Sequence, residues 1–154
     1  MNDKPSTQVA YTVNKSSEKQ ICEHLCECAE SFVPRLETRV NIEDYSSKIR
    51  DNAVTFEAWD SGQLVGLTAA YNAQLVMYVT SVSVVRRFQG NGIAKCLLAQ
   101  CIEYAGWHKC TEISLEVARD NLIATRLYSE LGFTAYSKRN VGSVEMQLMI
   151  LQLV

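Results

Sequence analysis

The chain has 154 residues, 47% hydrophobic and 21% charged, which excludes a disordered segment and fits one domain, residues 1 to 154, burying roughly 68–70% of its unfolded surface. Its fifteen basic and seventeen acidic residues give a net charge of −2, and the basic ones form no arm or stripe, so nucleic acid is excluded as the primary partner. No stretch approaches the roughly 20 apolar residues of a membrane span, and the first twenty residues lack the apolar segment of a secretory leader. A cytoplasmic protein with no membrane partner is therefore expected.

Taken in chain order, residues 8 to 13 (QVAYTV) alternate as a short strand does, and Ser16, Ser17 and Glu18 supply capping residues for a helix reaching about Glu30. That helix carries Cys22, His24, Cys26 and Cys28. Cys22 and Cys26 share a face that His24 does not, and no second ligand pair with zinc spacing follows, so no metal is expected. These cysteines, with Cys96, Cys101 and Cys110, read as reduced, buried packing thiols. The loop FVPRLETRV leads to a second helix from about Asn41 to Arg50, with Glu43 and Asp44 in its positively polarised first turn.

Residues 54 to 60 and 63 to 71 flank Ser61-Gly62 and read as an antiparallel hairpin, and the β-branched run 76 to 85 reads as a buried strand. From Gly92 to about Tyr104, Ile93, Cys96, Leu97, Cys101 and Tyr104 recur at helical spacing. The strand EISLEVA, a helix from about Asn121 to Leu131 and two strands, FTAYSKR and VEMQLMILQLV, complete the chain. The order β-α-α-β-β-β-α-β-α-β-β requires parallel and antiparallel pairing in one sheet, hence an α+β fold of helices on a mixed sheet. The aliphatic residues of the last strand leave two readings, a strand under helices or one face of a homodimer.

Between the buried strand and its amphipathic helix stands Gln89-Gly90-Asn91-Gly92-Ile93-Ala94-Lys95. Small residues let a ligand approach the backbone, and the first amides of a helix have no internal partner, so the turn is an anion site suited to a pyrophosphate. A Rossmann fingerprint would need a third glycine where Lys95 stands, and a Walker loop would need a Gly-Lys-Ser/Thr ending. A helix-starting turn without a ligand remains the other reading of these glycines.

The following segment, SLEVARDNLIATRLYSELGF, narrows the choice. Gln89, Gly92 and Ala94 match the Gln/Arg-x-x-Gly-x-Gly/Ala signature, and Asn121, Ala124, Tyr128, Gly132 and Phe133 match the Asn-x-x-Ala-x-x-x-Tyr-x-x-x-Gly-Phe pattern, of the GNAT superfamily of acetyl-CoA-dependent acetyltransferases. The specific motifs occupy residues 82 to 133, while the element order resembles the family over nearly the whole chain. The resemblance implies a seven-stranded mixed sheet with four helices. It also implies that the strands around Val84 and Val117 splay apart, with the pantetheine arm of acetyl-CoA between them. Main-chain groups of Val82, Ser83 and Val84 would meet its acetyl and pantetheine portions, and amides of Gly90, Asn91, Gly92, Ile93, Ala94 and Lys95 its pyrophosphate. Asn121 resembles the residue that bonds the pantetheine arm, with a helix N-cap as its other reading.

An amine attacks only when neutral, and a lysine-like amine is charged at pH 7, so a proton must leave first. Glu116, apolar on both sequence sides, is expected to face the cleft with its pKa raised toward neutrality by burial. Its spacing of twelve from Tyr128 resembles the ribosomal-protein N-terminal acetyltransferase branch, where the matching glutamate is the base; a structural carboxylate is the alternative. The resemblance makes Tyr128 the group that protonates or hydrogen-bonds the departing thiolate, against plain core packing.

Together these imply an N-acetyltransferase acting on a primary amine by direct attack in a ternary complex. A non-catalytic acyl-CoA-binding module and an O-acetyltransferase of a small molecule stand as alternatives. The family's acceptor site would be bordered by Phe32, Pro34, Arg35 and Arg39 on one side and residues 136 to 144 on the other. Arg35 or Arg39 suits an acceptor carboxylate or phosphate, or is simply a solvated loop arginine. The peptide-acetylating branch carries several tyrosines after its Gly-Phe turn; here only Tyr136 stands there, so a small-molecule amine is at least as well supported as a peptide amine.

Overall fold

The computed structural model of the protein describes residues 9 to 153. The elements follow the expected order: β1 Ala10–Val13, α1 Glu18–Cys28, α2 Ile42–Asn52, β2 Val54–Asp60, β3 Gln63–Ala73, β4 Val76–Val84, α3 Ile93–Trp107, β5 Glu112–Ala118, α4 Leu122–Glu130, β6 Thr134–Val141 and β7 Val144–Gln152. Residue 8 of the expected first strand and residue 154 of the last lie outside the described residues. The strands form one mixed sheet in the order β1-β2-β3-β4-β5-β7-β6, all neighbours antiparallel except the parallel pair β4 and β5. This is the α+β architecture that the element order requires, with β7 inside the sheet between β5 and β6.

Local chemistry sets the helix starts. Ser17 accepts from the Gln20 amide while the Gln20 side chain accepts from the Ser17 amide, a complete capping box, and Asn41 caps α2 through the Asp44 amide. The α1 helix is shorter than expected, ending at Cys28 before a 3₁₀ turn, Ala29–Ser31. On one face of the sheet Ile21, Leu25, Leu36 and Ile49 pack on Leu67 and Ala69; on the other Ile93, Leu97, Leu98, Cys101 and Ala105 of α3 pack on Phe56, Ala58 and Val65. Gly66 lets α3 approach, since a Cβ there would stand 2.8 Å from the Ile93 Cγ2 atom.

The expectation of buried cysteines is corrected. Cys28, Cys101 and Cys110 are buried, but Cys26 and Cys96 are exposed and Cys22 is half-buried. The buried stripe of α3 runs through Leu98 and Ala105 instead of Cys96, so the helix is turned by a fraction of a step from the assumed phase.

One buried charge anchors the start of α1. Glu57 of β2 is fully buried and accepts from the Thr12 hydroxyl at 2.7 Å, the Lys15 amide at 2.9 Å, the Ser16 amide at 2.6 Å, the Thr55 hydroxyl at 2.9 Å and the Ser16 hydroxyl. Burial pushes its pKa up, but the donors from Ser16, Thr12 and Lys15 together outweigh burial and hold it below the ordinary carboxylate value. A depressed folded pKa contributes stability above the unfolded value that is lost as pH falls through the folded one. Glu57→Gln leaves amide hydrogens facing donors and should lower stability at pH 7 by about 2–3 kcal/mol. It should also flatten the acid dependence, as denaturant melts from pH 7 to pH 3 would measure.

Candidate active site

The site exists because two neighbouring strands part. Parallel pairing of β4 with β5 runs from Val76 and Glu112 to Val79 and Leu115 and stops there. Thr80 is a bulge on β4, where Ala70 faces Val79 and Ala69 already faces Ser81. The Tyr45 hydroxyl of α2 donates to the Thr80 carbonyl at 2.8 Å and lies 2.7 Å from its hydroxyl, pinning the bend. Beyond it β4 stays paired with β3 out to Val84, and β5 stays paired with β7 out to Ala118. The gap is therefore a fixed cleft of about 850 Å³ with strand edges for walls.

At one end the cleft is closed by the glycine turn. Gly90 (φ 81°) and Gly92 (φ 78°) adopt the left-handed conformation that glycine takes without strain, and Gly92 opens α3 without any side-chain cap. The other three helices have capped first amides, through Ser17, Asn41 and Asn121. In α3 these amides are left for a ligand, with Lys95 beside them on the cleft wall. Val82, Ser83, Val84, Gln89, Gly90, Gly92, Ile93, Ala94 and Lys95 all line the cleft. Asn91 does not line it: its side-chain amide turns back to the Phe88 and Gln89 carbonyls, at 3.0 and 3.4 Å. The Gln89 side chain donates to the Val84 carbonyl at 3.1 Å, tying the turn to the end of β4.

Asn121 lines the cleft and also caps α4, its side-chain oxygen accepting from the Ala124 amide at 3.2 Å, so both readings of this residue meet in one side chain. Among the described residues its NH₂ group meets no acceptor, which leaves both donors open toward the cleft. Tyr128 lines the cleft from α4 at 7% exposure, its ring tilted against Phe133 at 6.0 Å between centroids, and burial pushes its phenol up to about 12. It is a protonated donor at neutral pH.

At the other end lie Phe32, Arg39, Tyr78 and Glu116. The expected rise in the Glu116 pKa is overturned. Arg139 of β6 reaches across β7 and clamps the carboxylate with Nε at 2.6 Å and Nη2 at 2.7 Å. These hydrogen bonds lead, burial opposes them, and the charges of Arg139 and Arg39 add to them, so Glu116 is held below the ordinary carboxylate value. Arg35 is also misplaced by sequence reasoning. It does not line the cleft and instead pairs with Glu37 at 2.6 Å and Glu30 at 3.5 Å. Tyr136 likewise stands outside, 74% exposed.

Sequence reasoning passed over Tyr78 and the link between His24 and Ser83, took Ser83 for its main chain alone, and met Arg139 only as one of residues 136 to 144. His24, 3% exposed on α1, has Nδ1 at 2.9 Å from the Leu64 carbonyl and Nε2 at 2.8 Å from the Ser83 Oγ atom. Burial lowers its pKa, against the raising effects of the Leu64 carbonyl and the Glu27 charge, and keeps the ring neutral at pH 7. No local signal in ICEHLCEC marks that histidine as facing a strand some sixty residues further on.

The positive φ at Gly92 gives a direct test of the turn. A Cβ at Gly92 meets no atom within 4 Å, but Gly92→Val forces a β-branched residue into the left-handed region, at a cost of about 1–2 kcal/mol. Titration calorimetry with acetyl-CoA should show affinity falling by about tenfold or more as the amides lose their alignment.

A family comparison agrees with this geometry. The profile described as "Acetyltransferase (GNAT) family" matches residues 18–133. Among curated proteins no sequence matches this one. Among solved structures, the Escherichia coli ribosomal-protein-S18-alanine N-acetyltransferase is similar with a TM-score of 0.79 at 16% identity, covering 94% of each chain. The yncA protein of Salmonella typhimurium, solved with its cofactor acetyl-CoA, gives 0.75 at 16% identity over 94% of this chain and 95% of that one. NAA60 of Arabidopsis thaliana, in complex with a bisubstrate analogue, gives 0.75 at 17% identity over 94% and 97%. At these identities the structures report the fold, whereas the profile spans three quarters of the chain and carries the two motifs that build the cleft. The chain belongs to the GNAT acetyltransferase family.

Proposed function

We propose that this enzyme passes the acetyl group directly to the primary amine of a small molecule, which binds in the half of the cleft bounded by Phe32, Arg39, Tyr78 and Glu116. What carries this reading is that Glu116 on β5 and Tyr128 on α4 line one continuous cleft whose far end is the amide turn at Gly92. When bound there, acetyl-CoA supplies the thioester. The turn and Lys95 would hold its pyrophosphate, Asn121 its pantetheine arm, and the edges of β4 and β5 would exclude water from either side.

Glu116 takes a different part from that of a near-neutral base. Clamped by Arg139, it stays a carboxylate, and a carboxylate with a depressed pKa attracts protons weakly. Its remaining lone pairs are suited to receiving an N–H of the amine and aiming the nitrogen, while the neutral fraction of the amine carries the reaction. Tyr128 faces the departing sulfur. A phenol near 12 does not surrender its proton fully to a thiolate whose ordinary value is about 8.5; it stabilises the leaving group by a hydrogen bond.

Two observations favour a small acceptor. Tyr136 stands outside the cleft, so the tyrosines of a peptide clamp are missing from it. Arg39 lines the cleft without an ion pair among the described residues, so its guanidinium would take a carboxylate or phosphate of the acceptor.

Release of free thiol from acetyl-CoA across a panel of amines tests the assignment. Activity should be greatest with small amines that carry a carboxylate or phosphate, and Arg39→Ala should raise KM for those alone; preference for long peptides would overturn the small-acceptor reading. Tyr128→Phe should reduce kcat by about 100-fold with acetyl-CoA affinity nearly unchanged; an unaltered kcat removes Tyr128 from the chemistry. Arg139→Ala should release Glu116 toward its ordinary pKa, so the acid limb of kcat/KM moves to higher pH. An unmoved limb means that Glu116 does not touch the amine.

A further inference from the structure

The buried pair behind the cleft wall has a fixed direction of hydrogen bonding. The Leu64 carbonyl can only accept, so His24 Nδ1 carries the ring hydrogen that bonds it. In a neutral imidazole Nε2 is then bare and can only accept, so the hydrogen between it and Ser83 Oγ belongs to the serine. Ser83 has one hydrogen to give and gives it to the helix side. The Cys28 thiol lies 3.7 Å from the same ring nitrogen, whose single lone pair the Ser83 hydrogen takes, and it also hydrogen-bonds the Ser83 side chain, where as a weak donor it fills at most one of the hydroxyl's two lone pairs. Ser83 is 8% exposed and lines the cleft on β4, three residues past the bulge at Thr80. What this side chain has left for the cleft is a lone pair.

We infer that Ser83 Oγ is a dedicated acceptor for a ligand N–H in the cleft, and that His24 is the positioning residue that fixes it in that role. A serine without such a partner rotates its hydroxyl and binds donors and acceptors alike; His24 removes that freedom and makes the wall selective for N–H. Two sources of that group reach the cleft: an amide of the pantetheine arm and the acceptor amine. The first needs only the family's use of acetyl-CoA. The second rests on the proposed function, and the two are read by separate measurements.

Ser83→Ala, His24→Phe and His24→Gln are compared with the wild type by calorimetric titration of acetyl-CoA and by amine KM in thiol-release assays. Ser83→Ala, a small change on a cleft wall, should weaken one ligand about threefold to tenfold. A shift in acetyl-CoA affinity identifies the pantetheine amide; a shift in amine KM alone identifies the acceptor. His24→Phe should reproduce that loss with the hydroxyl still present. His24→Gln, whose side-chain oxygen can still accept from Ser83, should restore most of it. Thermal unfolding of each variant separates binding from folding, and Ser83→Ala decides the acceptor role even if the His24 variants are unstable. The inference is overturned if Ser83→Ala leaves both ligands within twofold of wild type, or if folded His24→Gln and His24→Phe bind alike.

Discussion

Everything functional in this protein depends on the point at which β4 and β5 cease to pair. Unpaired strand edges are a liability unless something fixes them, since bare N–H and C=O groups invite other partners. Here β3 holds β4 to its end and β7 holds β5 to its end, so the inner edges remain apart without fraying. The bulge at Thr80 turns β4 aside, and Tyr45 fixes that turn from the helix layer. Parallel strands connected through α3 place the first amides of that helix at the mouth of the gap, where the dipole favours a polyanion. A missing stretch of hydrogen bonds thus becomes a slot with polar walls and uncapped helix amides at one end.

How much of this could be read from the sequence depends on whether the determinant is local. Gly90 and Gly92 were legible because left-handed backbone is a local demand that few other residues meet, and Ser17 and Asn41 because a cap is satisfied within three residues. Tyr128 and Asn121 were legible on one helix, at fixed distance in the chain from Gly132 and Phe133. The state of Glu116 was not. Its partner Arg139 lies two strands away in the sheet, and their meeting depends on Leu148 facing Glu116 and Met146 facing Arg139 across β7. Nothing in SLEVA or SKRNV encodes that register. The same limit hid the link from His24 to Ser83, and a helix phase misjudged by a fraction of a turn placed Cys96 inside and overlooked Leu98 and Ala105.

The correction at Glu116 changes the electrostatics of that whole end of the cleft. Apolar neighbours in sequence argued for a desolvated, near-neutral carboxyl; one bidentate guanidinium outweighs that burial and leaves an anion. With Glu116 compensated by Arg139, the charge of Arg39 is left over at this end of the cleft, and its presence lowers Glu116 further. A polycationic acceptor would meet that excess as repulsion, whereas an amine bearing an acidic group would meet it as attraction.

The helix layer, for its part, is registered from one buried charge. Glu57 gathers the backbone and hydroxyls of residues 12 to 16, which sets where α1 begins, and the capping box at Ser17 continues from that point. Two turns later the same helix delivers His24 to the Leu64 carbonyl and the Ser83 hydroxyl. On the opposite face, Gly66 admits Ile93 at a distance that no side chain would allow, so α3 and its open amides sit directly on the sheet. The polar lining of β4 and the uncapped amides of α3 are therefore set by groups remote from the cleft. Glu57 acts through a helix and Gly66 through an absence of atoms, and each converts a packing constraint into a position along the cleft.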